Sequence, residues 1–362
     1  MKSQKKLLFG LIGLLLLGGG FYVLQGDFEG LFSDFKTHSL QQTNKPQVYG
    51  LSGPTMGTRY NIKLALSPSR SKEIDALSQG IAKALLGVEQ RMSTYRDNSE
   101  LSQFNVSSPG DWVLVSDPLF RVISAAQDLS KRSAGAFDVT VGPLVNLWGF
   151  GPEHKLDEVP TDDELSKAFQ RVGYEKLLLD TARKRIKKKG DLYLDLSAIA
   201  KGYGVDKIVQ LLRSNDIESA LVEVGGEIRA FGLKPDGKDW RIAIESPISN
   251  LRAVQKIIAL KDSALATSGD YRNYFEKDSV RYSHTIDSRT GRPITHKLAS
   301  VTVLHESCML ADGLATMFMA MGPDAAMNYA NNHNIAIFML VKRGDTFAEL
   351  SSKEFETLFG DS

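Results

Sequence analysis

The chain has 362 residues, 42% hydrophobic and 24% charged, enough to bury one large core or two joined ones and too apolar for a disordered or fibrous protein. Its 44 basic and 43 acidic residues leave a net charge of +1, and no basic stripe interleaved with aromatics occurs, which sets nucleic acid aside as a partner. The single cysteine, Cys308, excludes an intramolecular disulfide and a cysteine-built zinc site, and reads as a small buried hydrophobe.

Lys2, Lys5 and Lys6 precede an uncharged apolar run from Leu7 to Leu24, which as a helix spans ~27 Å at ~1.5 Å per residue, close to a bilayer core. The basic flank is expected to stay in the cytoplasm while Asp27 and everything after it is exported. A cleaved signal peptide is the alternative. The run is longer than a usual signal core and Gly18-Gly19-Gly20 is a poor cleavage site, which favours an uncleaved anchor over residues 1–25. No cysteine follows the run directly, which excludes lipoprotein processing. Residues 26–49 have no periodicity and read as a tether, with one folded domain expected over residues 50–355.

Met56 to Leu64 alternates as a strand, and Ser71 to Met92 follows as an amphipathic helix. Met92 to Asn105 contains a polar loop, and Pro118 to Arg132 is the next helix, ending before Gly135. Gly135-Ala136-Phe137-Asp138 sets an acid in an apolar frame. It reads either as the wall of a ring-binding pocket or as a plain loop packed into the core. Thr161-Asp162-Asp163-Glu164 is an acidic helix start within a surface excursion. Arg183 to Asp191 reads as a solvated basic hairpin, with an acidic lipid surface or partner as the lesser reading.

Leu192 to Leu196 is expected to be a buried strand feeding a helix from Ser197 to about Leu212. Such a helix start attracts anions, and Lys201 adds a charge one turn in, so a phosphate site is predicted there against the plainer reading of a solvent-facing lysine. Gly202 and Gly204 each cost about 0.5–1 kcal/mol relative to alanine inside a helix, which argues for more than a structural role. Ala220 to Ala230 is read as a strand interrupted by Gly225-Gly226, a bulge or a close ligand approach. Trp240 to Glu245 and Ile257 to Ala266 are further strands, and Thr267 to Tyr274 is a polar loop. His284 and Asp287 sit in a turn region with Arg289 and Arg292, where acid–base work and a structural histidine are equally good readings.

Met309 to Met321 is an apolar helix carrying one carboxylate, Asp312. A buried ionised carboxylate costs several kcal/mol unless it is paired, so Asp312 needs a cation or a set of hydrogen bonds. Thr316, four residues on, shares its face and provides a second hard oxygen about 6 Å away. Two readings stand: part of a Mg²⁺ or Ca²⁺ site, or a helix terminus in which Asp312 caps backbone amides.

Taken in order, Thr55-Met56-Gly57-Thr58, Met92-Ser93-Thr94-Tyr95, Gly135 to Leu144, Asp195 to Gly204, Val224-Gly225-Gly226-Glu227, Ala266 to Gly269, His284-Thr285-Ile286-Asp287 and Ala311 to Thr316 resemble the ApbE family. These are flavin transferases that move FMN from FAD onto a threonine or serine of a target protein, and the resemblance covers roughly residues 50 to 345. It implies a single α+β catalytic domain of mixed β-sheets with flanking helices, here behind one N-terminal membrane helix. Met56, Tyr95, Ala136, Phe137, Asp138, Asp195, Lys201 and Ile286 match the family's FAD contacts. The carbonyl of Ala198 and the side chains of Asp312 and Thr316 match its Mg²⁺ ligands. His284 matches a position implicated in catalysis, with Asp287 in the same motif as orienter or substitute. Ser288 stands where proline is usual and Gly313 where alanine is usual, which puts local rigidity in question more than chemistry.

The resemblance implies FAD as substrate, Mg²⁺ as cofactor and AMP as product. It implies acceptor flavoprotein subunits of membrane redox complexes, met on the periplasmic side of a bacterial inner membrane. Two other activities compete: a Mg²⁺-dependent FAD pyrophosphatase releasing FMN and AMP, and an exported flavin-binding protein with no chemistry.

Overall fold

The computed structural model describes residues 45–151, 158–247, 254–270, 274–277, 280–344 and 346–360. The expected anchor over residues 1–25 and residues 26–44 of the expected tether lie outside these residues, and the tether's last three residues, from Gln47, are strand instead. Among the described residues no helix is long and apolar enough to cross a membrane.

The scaffold is an eight-stranded sheet. Its strands run, edge to edge, Gln47–Thr55, Thr58–Leu66, Ala220–Val224, Glu227–Phe231, Ala264–Gly269, Leu298–His305, Ala336–Arg343 and Thr346–Ser351. The α+β class stands, with one correction: every ladder among the described residues is antiparallel, so the sheets are not mixed in direction. Alternation sorts the side chains onto two apolar faces. Ile62, Leu64, Val222, Val224, Val301 and Val303 face three helices, Ile74–Met92, Ala200–Ser214 and Cys308–Met321. Leu221, Ile228, Leu265, Leu304 and Phe338 face the other way, onto the hairpin Trp240–Glu245/Val254–Leu260 and the helix Lys353–Phe359. With both faces covered, Leu298–His305 is buried along nearly its whole length.

Four local readings are corrected. Met56-Gly57 is not strand: both residues take positive φ in the two-residue turn that joins the first two strands, with Thr55 opposite Thr58. Gly225-Gly226 is likewise the turn of a hairpin rather than a bulge, with Val224 opposite Glu227. Ile257 to Ala266 divides into two strands, and Thr267 to Gly269 belongs to the second rather than to a loop. Leu192 to Leu196 is extended and its leucines are fully buried, yet it joins no ladder. The Asn105 side chain stands in for a neighbouring strand, donating to the Leu194 carbonyl and accepting from its N–H, at 2.9 and 2.8 Å.

The remaining expectations match closely. Asp117–Arg132 is helical behind a Ser116 cap, and Asp162–Phe169 opens with a Thr161/Glu164 capping box. The basic segment forms a hairpin of Leu177–Asp180 and Arg185–Lys188, though Lys188 is not solvated: it is 1% exposed and donates to the Asn105 carbonyl at 2.6 Å.

Candidate functional site

The helices Ala200–Ser214 and Cys308–Met321 meet at their N-terminal ends, and glycine makes the approach possible. A Cβ on Gly202 would lie 2.2 Å from the Cys308 carbonyl oxygen and 2.8 Å from Asp312 Cβ, so only glycine fits. Each helix then lends the other a carboxylate. Asp312 Oδ2 accepts from the Gly202 N–H at 2.9 Å, in the first turn of the neighbouring helix. Asp206 accepts from the Cys308 and Met309 N–H groups and from the Ser307 hydroxyl, while Arg229 pairs with it from the sheet at 2.5 Å. The capping reading of Asp312 was therefore right in kind and wrong in place: Asp312 caps the other helix, and Ser307 and Asp206 cap its own.

That leaves Asp312 Oδ1. It faces Lys201 Nζ at 3.7 Å, and the same ammonium lies 3.5 Å from Glu227 Oε1 and donates to the Ser197 carbonyl at 3.3 Å. Asp312 and Glu227 are each 4% exposed, and Glu227 Oε2 is buried with no hydrogen-bond partner. Two buried carboxylates thus share one ammonium. Burial pushes both carboxyls up, against the pull of Lys201, and brings Glu227 to about 8. The carboxylates in turn hold the Lys201 ammonium above its usual range, outweighing its own burial.

A carboxyl that binds its proton more tightly folded than unfolded contributes stability that is fully present below its ordinary 4.5 and is lost as pH rises through its folded value of about 8. The metal-free protein is expected to lose melting temperature across that window. Glu227→Gln should flatten the decline, and an unchanged slope in that variant would remove Glu227 as its source.

Met56, Ala198, Asp195 and Thr316 stand on or next to the two helices that carry this cluster. Met56 packs on the Lys201 helix where Gly204 leaves room, a Cβ there lying 2.9 Å from Met56 Cε; its N–H donates to Glu89 at 2.9 Å. Ala198 and Asp195 stand just ahead of that helix, in a turn where Asp195 Oδ1 accepts from Ser197. The Asp195 N–H donates to the Val139 carbonyl at 2.8 Å, drawing the 136–140 loop alongside. Tyr95, 68% exposed, has Asp195 as a neighbouring charge. Thr316 lies one turn beyond Asp312 and is half-buried.

Ala136, Phe137 and Asp138 lie in a buried loop. Phe137 is 2% exposed and belongs to the main core. Asp138 accepts from the Thr140 N–H and hydroxyl and from the Tyr174 N–H, tying its loop to the segment at Tyr174, and burial pushes its carboxyl up.

His284 stands edge-on to Phe150, ring centroids 6.3 Å apart, beyond the strand 280–283. Asp270, just past the end of a central strand, is close to His284, Arg281 and His296, and burial pushes its carboxyl up. Asp287 binds Arg289 in a fork, both contacts at 2.9 Å, and closes the turn to Gly291. Ile286 is buried against Trp148 and Phe275 in a satellite cluster. Both departures from the family pattern are well packed. The Ser288 hydroxyl donates to the Gly135 carbonyl, tying the His284 loop to the 136–138 loop, and Gly313 leaves the space that Leu129 fills.

Sequence reasoning gave Glu227, Asp206, Arg229 and Asp270 no role. Glu227 alone had a signal, an acid directly after a glycine pair. The partners of Asp206 and Asp270 come from distant segments.

A model of the ApbE family matches residues 56–339. The chain belongs to the ApbE family. An FAD:protein FMN transferase of Vibrio cholerae is 51% identical over 308 residues, covering 84% of this chain and 91% of that protein. One of Haemophilus influenzae is 42% identical over 320 residues, covering 86% and 92%. The solved ApbE flavin transferase from Vibrio cholerae superposes with a TM-score of 0.80 at 48% identity, over 87% of this chain and all of that one. The apo ApbE flavinyl transferase of Pseudomonas stutzeri gives the same TM-score at 41% identity, over 87% and 98%. The ApbE fold is thus present over the described domain.

The donor set also fits the divalent metal that the ApbE resemblance implies. It offers hard oxygens only: two buried carboxyl groups stand beside one ammonium, and one carboxyl oxygen is without a hydrogen-bond partner. Among the described residues no group of three His, Cys, Asp or Glu side chains forms a metal cage, so any ion there takes further ligands from backbone, hydroxyl, water or substrate.

Proposed function

We propose that this chain is an FAD:protein FMN transferase, moving FMN from FAD onto a threonine or serine hydroxyl of a target flavoprotein and releasing AMP. The observation that carries the reading is the buried Asp312–Lys201–Glu227 cluster at the start of the helix Ala200–Ser214. It joins two buried carboxyl groups, suited to a cation, to a helix N-terminus and an ammonium, suited to a pyrophosphate.

Asp312, Thr316 and the Ala198 carbonyl are the groups that would hold Mg²⁺, which when bound supplies charge neutralisation at the FAD pyrophosphate. Lys201 adds its charge to the same phosphates. Met56, Tyr95, Asp195, Ile286 and the 136–138 loop form the surroundings of the nucleotide. His284 accepts the proton of the acceptor hydroxyl as its oxygen bonds to the phosphorus of the FMN half. The bond from that phosphorus to the bridging oxygen breaks, and AMP leaves. Asp270 and Asp287 are the acids of the His284 region.

His284→Ala is expected to lower the transfer rate by about 10²–10⁴-fold while FAD binding, read by flavin fluorescence, stays within a few-fold of wild type. A rate within threefold of wild type, on the order of measurement scatter, would show that another base acts.

The apolar run Leu7 to Leu24 and its basic flank support an anchor in a bacterial inner membrane with the domain on the periplasmic side. The acceptors are then exported flavoprotein subunits of membrane redox complexes. The test is to incubate the protein with FAD, Mg²⁺ and such a subunit and to look for flavin fluorescence on the denatured acceptor band. Free FMN and AMP with a dark band would make the protein a pyrophosphatase, and bound FAD with no AMP would make it a carrier.

A further inference from the structure

We propose that Lys201 is a displaceable counter-ion for Asp312, and that Glu227 is the positioning residue that draws it away when a divalent cation arrives. The inference rests on the assignment of Asp312 to metal binding made above and adds a role for a residue that the assignment leaves idle.

The geometry is that of one mobile charge between two fixed ones. Asp312 is fixed because Oδ2 accepts the Gly202 N–H, leaving Oδ1 to the ammonium at 3.7 Å. Glu227 is fixed because it opens a central strand, opposite Val224, directly after the Gly225-Gly226 turn. Glu223 locks that turn: it accepts the Gly226 N–H at 2.8 Å and the Asn61 side-chain amide at 2.5 Å. Lys201 is the movable member, a flexible four-carbon stem carrying a point charge. Its stem runs past Gly225, where a Cβ would lie 3.3 Å from Lys201 Cδ, so the turn glycine keeps the path open.

The contacts set the direction of movement. The ammonium is already 3.5 Å from Glu227 Oε1, and Glu227 Oε2 is buried without a partner. That oxygen is an unused acceptor within the same cluster. With the ammonium beside it, Asp312 is neutralised and weak toward a cation; a divalent ion there repels Lys201. Without Glu227 the ammonium would have only Asp312 as its buried carboxylate. With it, Lys201 has a second carboxylate to join and stays charged beside the site, available to a phosphate.

The test uses the full chain with Mn²⁺ alone, followed by loss of the free-ion electron paramagnetic resonance signal, with no FAD and no acceptor. Wild type is expected to bind, and Asp312→Ala to bind far more weakly. Glu227→Gln, which keeps the side chain's shape, is expected to weaken binding about tenfold, because Lys201 then stays on Asp312. Lys201→Met is expected to tighten binding about tenfold, and adding it to Glu227→Gln to recover the lost affinity. A purely structural role for either residue moves melting temperature and leaves these affinities alone. If wild type binds and neither variant changes its affinity, or Lys201→Met weakens it, this inference falls while the assignment of Asp312 stands. If wild type takes up no Mn²⁺, the assignment fails and the inference with it. Should Glu227→Gln not fold, Lys201→Met decides the matter by itself.

Discussion

Replacing Asp312 with asparagine is expected to reduce FMN transfer by about 10²–10³-fold or more while the protein stays folded. Asparagine keeps the shape and can still accept the Gly202 N–H through its amide oxygen, so the junction of the two helices survives. It removes the charge that makes the position a cation ligand. It also leaves one buried carboxylate, Glu227, to one ammonium, Lys201, a better balance than the wild-type cluster has. Melting temperature should therefore hold or rise as activity falls. Substantial activity with the same Mg²⁺ dependence would show that Asp312 is a structural cap and no more.

Asp206→Ala is expected to act in the opposite way, costing about 3 kcal/mol of stability through a residue that touches no expected substrate. Asp206 satisfies two N–H groups at the start of the helix Cys308–Met321, binds the Ser307 hydroxyl and neutralises Arg229. Arg229 Nε is buried and already lacks a hydrogen-bond partner, so loss of the carboxylate strands a charge against the sheet. With both side chains 19% exposed, water recovers part of the loss, which is why the figure sits at the low end for a buried pair. Asp206→Asn should cost less, since its amide oxygen can serve the helix amides. Denaturant unfolding that shows less than about 1 kcal/mol of change would mean that the helix is held by its apolar packing and the Ser307 cap.

The periodic elements were legible because their causes are local. The helices near residues 74–92, 117–132 and 200–214 lie within a few residues of where apolar spacing and caps put them. The turns at Met56-Gly57 and Gly225-Gly226 are less legible: the first reads as the start of a strand and the second as a bulge within one, while positive φ at two successive residues folds the chain back in both. Leu192 to Leu196 misled for a different reason. Its pattern is that of a buried strand, and its hydrogen-bond partner is a side chain 89 residues away.

The same split applies to the site. A carboxylate in an apolar helix signalled its own need for a partner, and Lys201 in the first turn of a strand-fed helix signalled an anion site. That the two signals belong to one place depends on Gly202, whose missing Cβ lets the helices touch. No spacing rule joins residues 110 positions apart. The glycine pair before Glu227 signals a turn but not a partner: its lysine comes from another element, and the cluster exists only once three segments are assembled.

Transfer of FMN to a protein is read from the intact mass of an acceptor subunit. With FAD and Mg²⁺, a mass gain equal to one esterified FMN is expected, with AMP formed in equal amount, and both far slower with Asp312→Asn. An acceptor of unchanged mass, with FAD either intact or cleaved to free FMN, would contradict it.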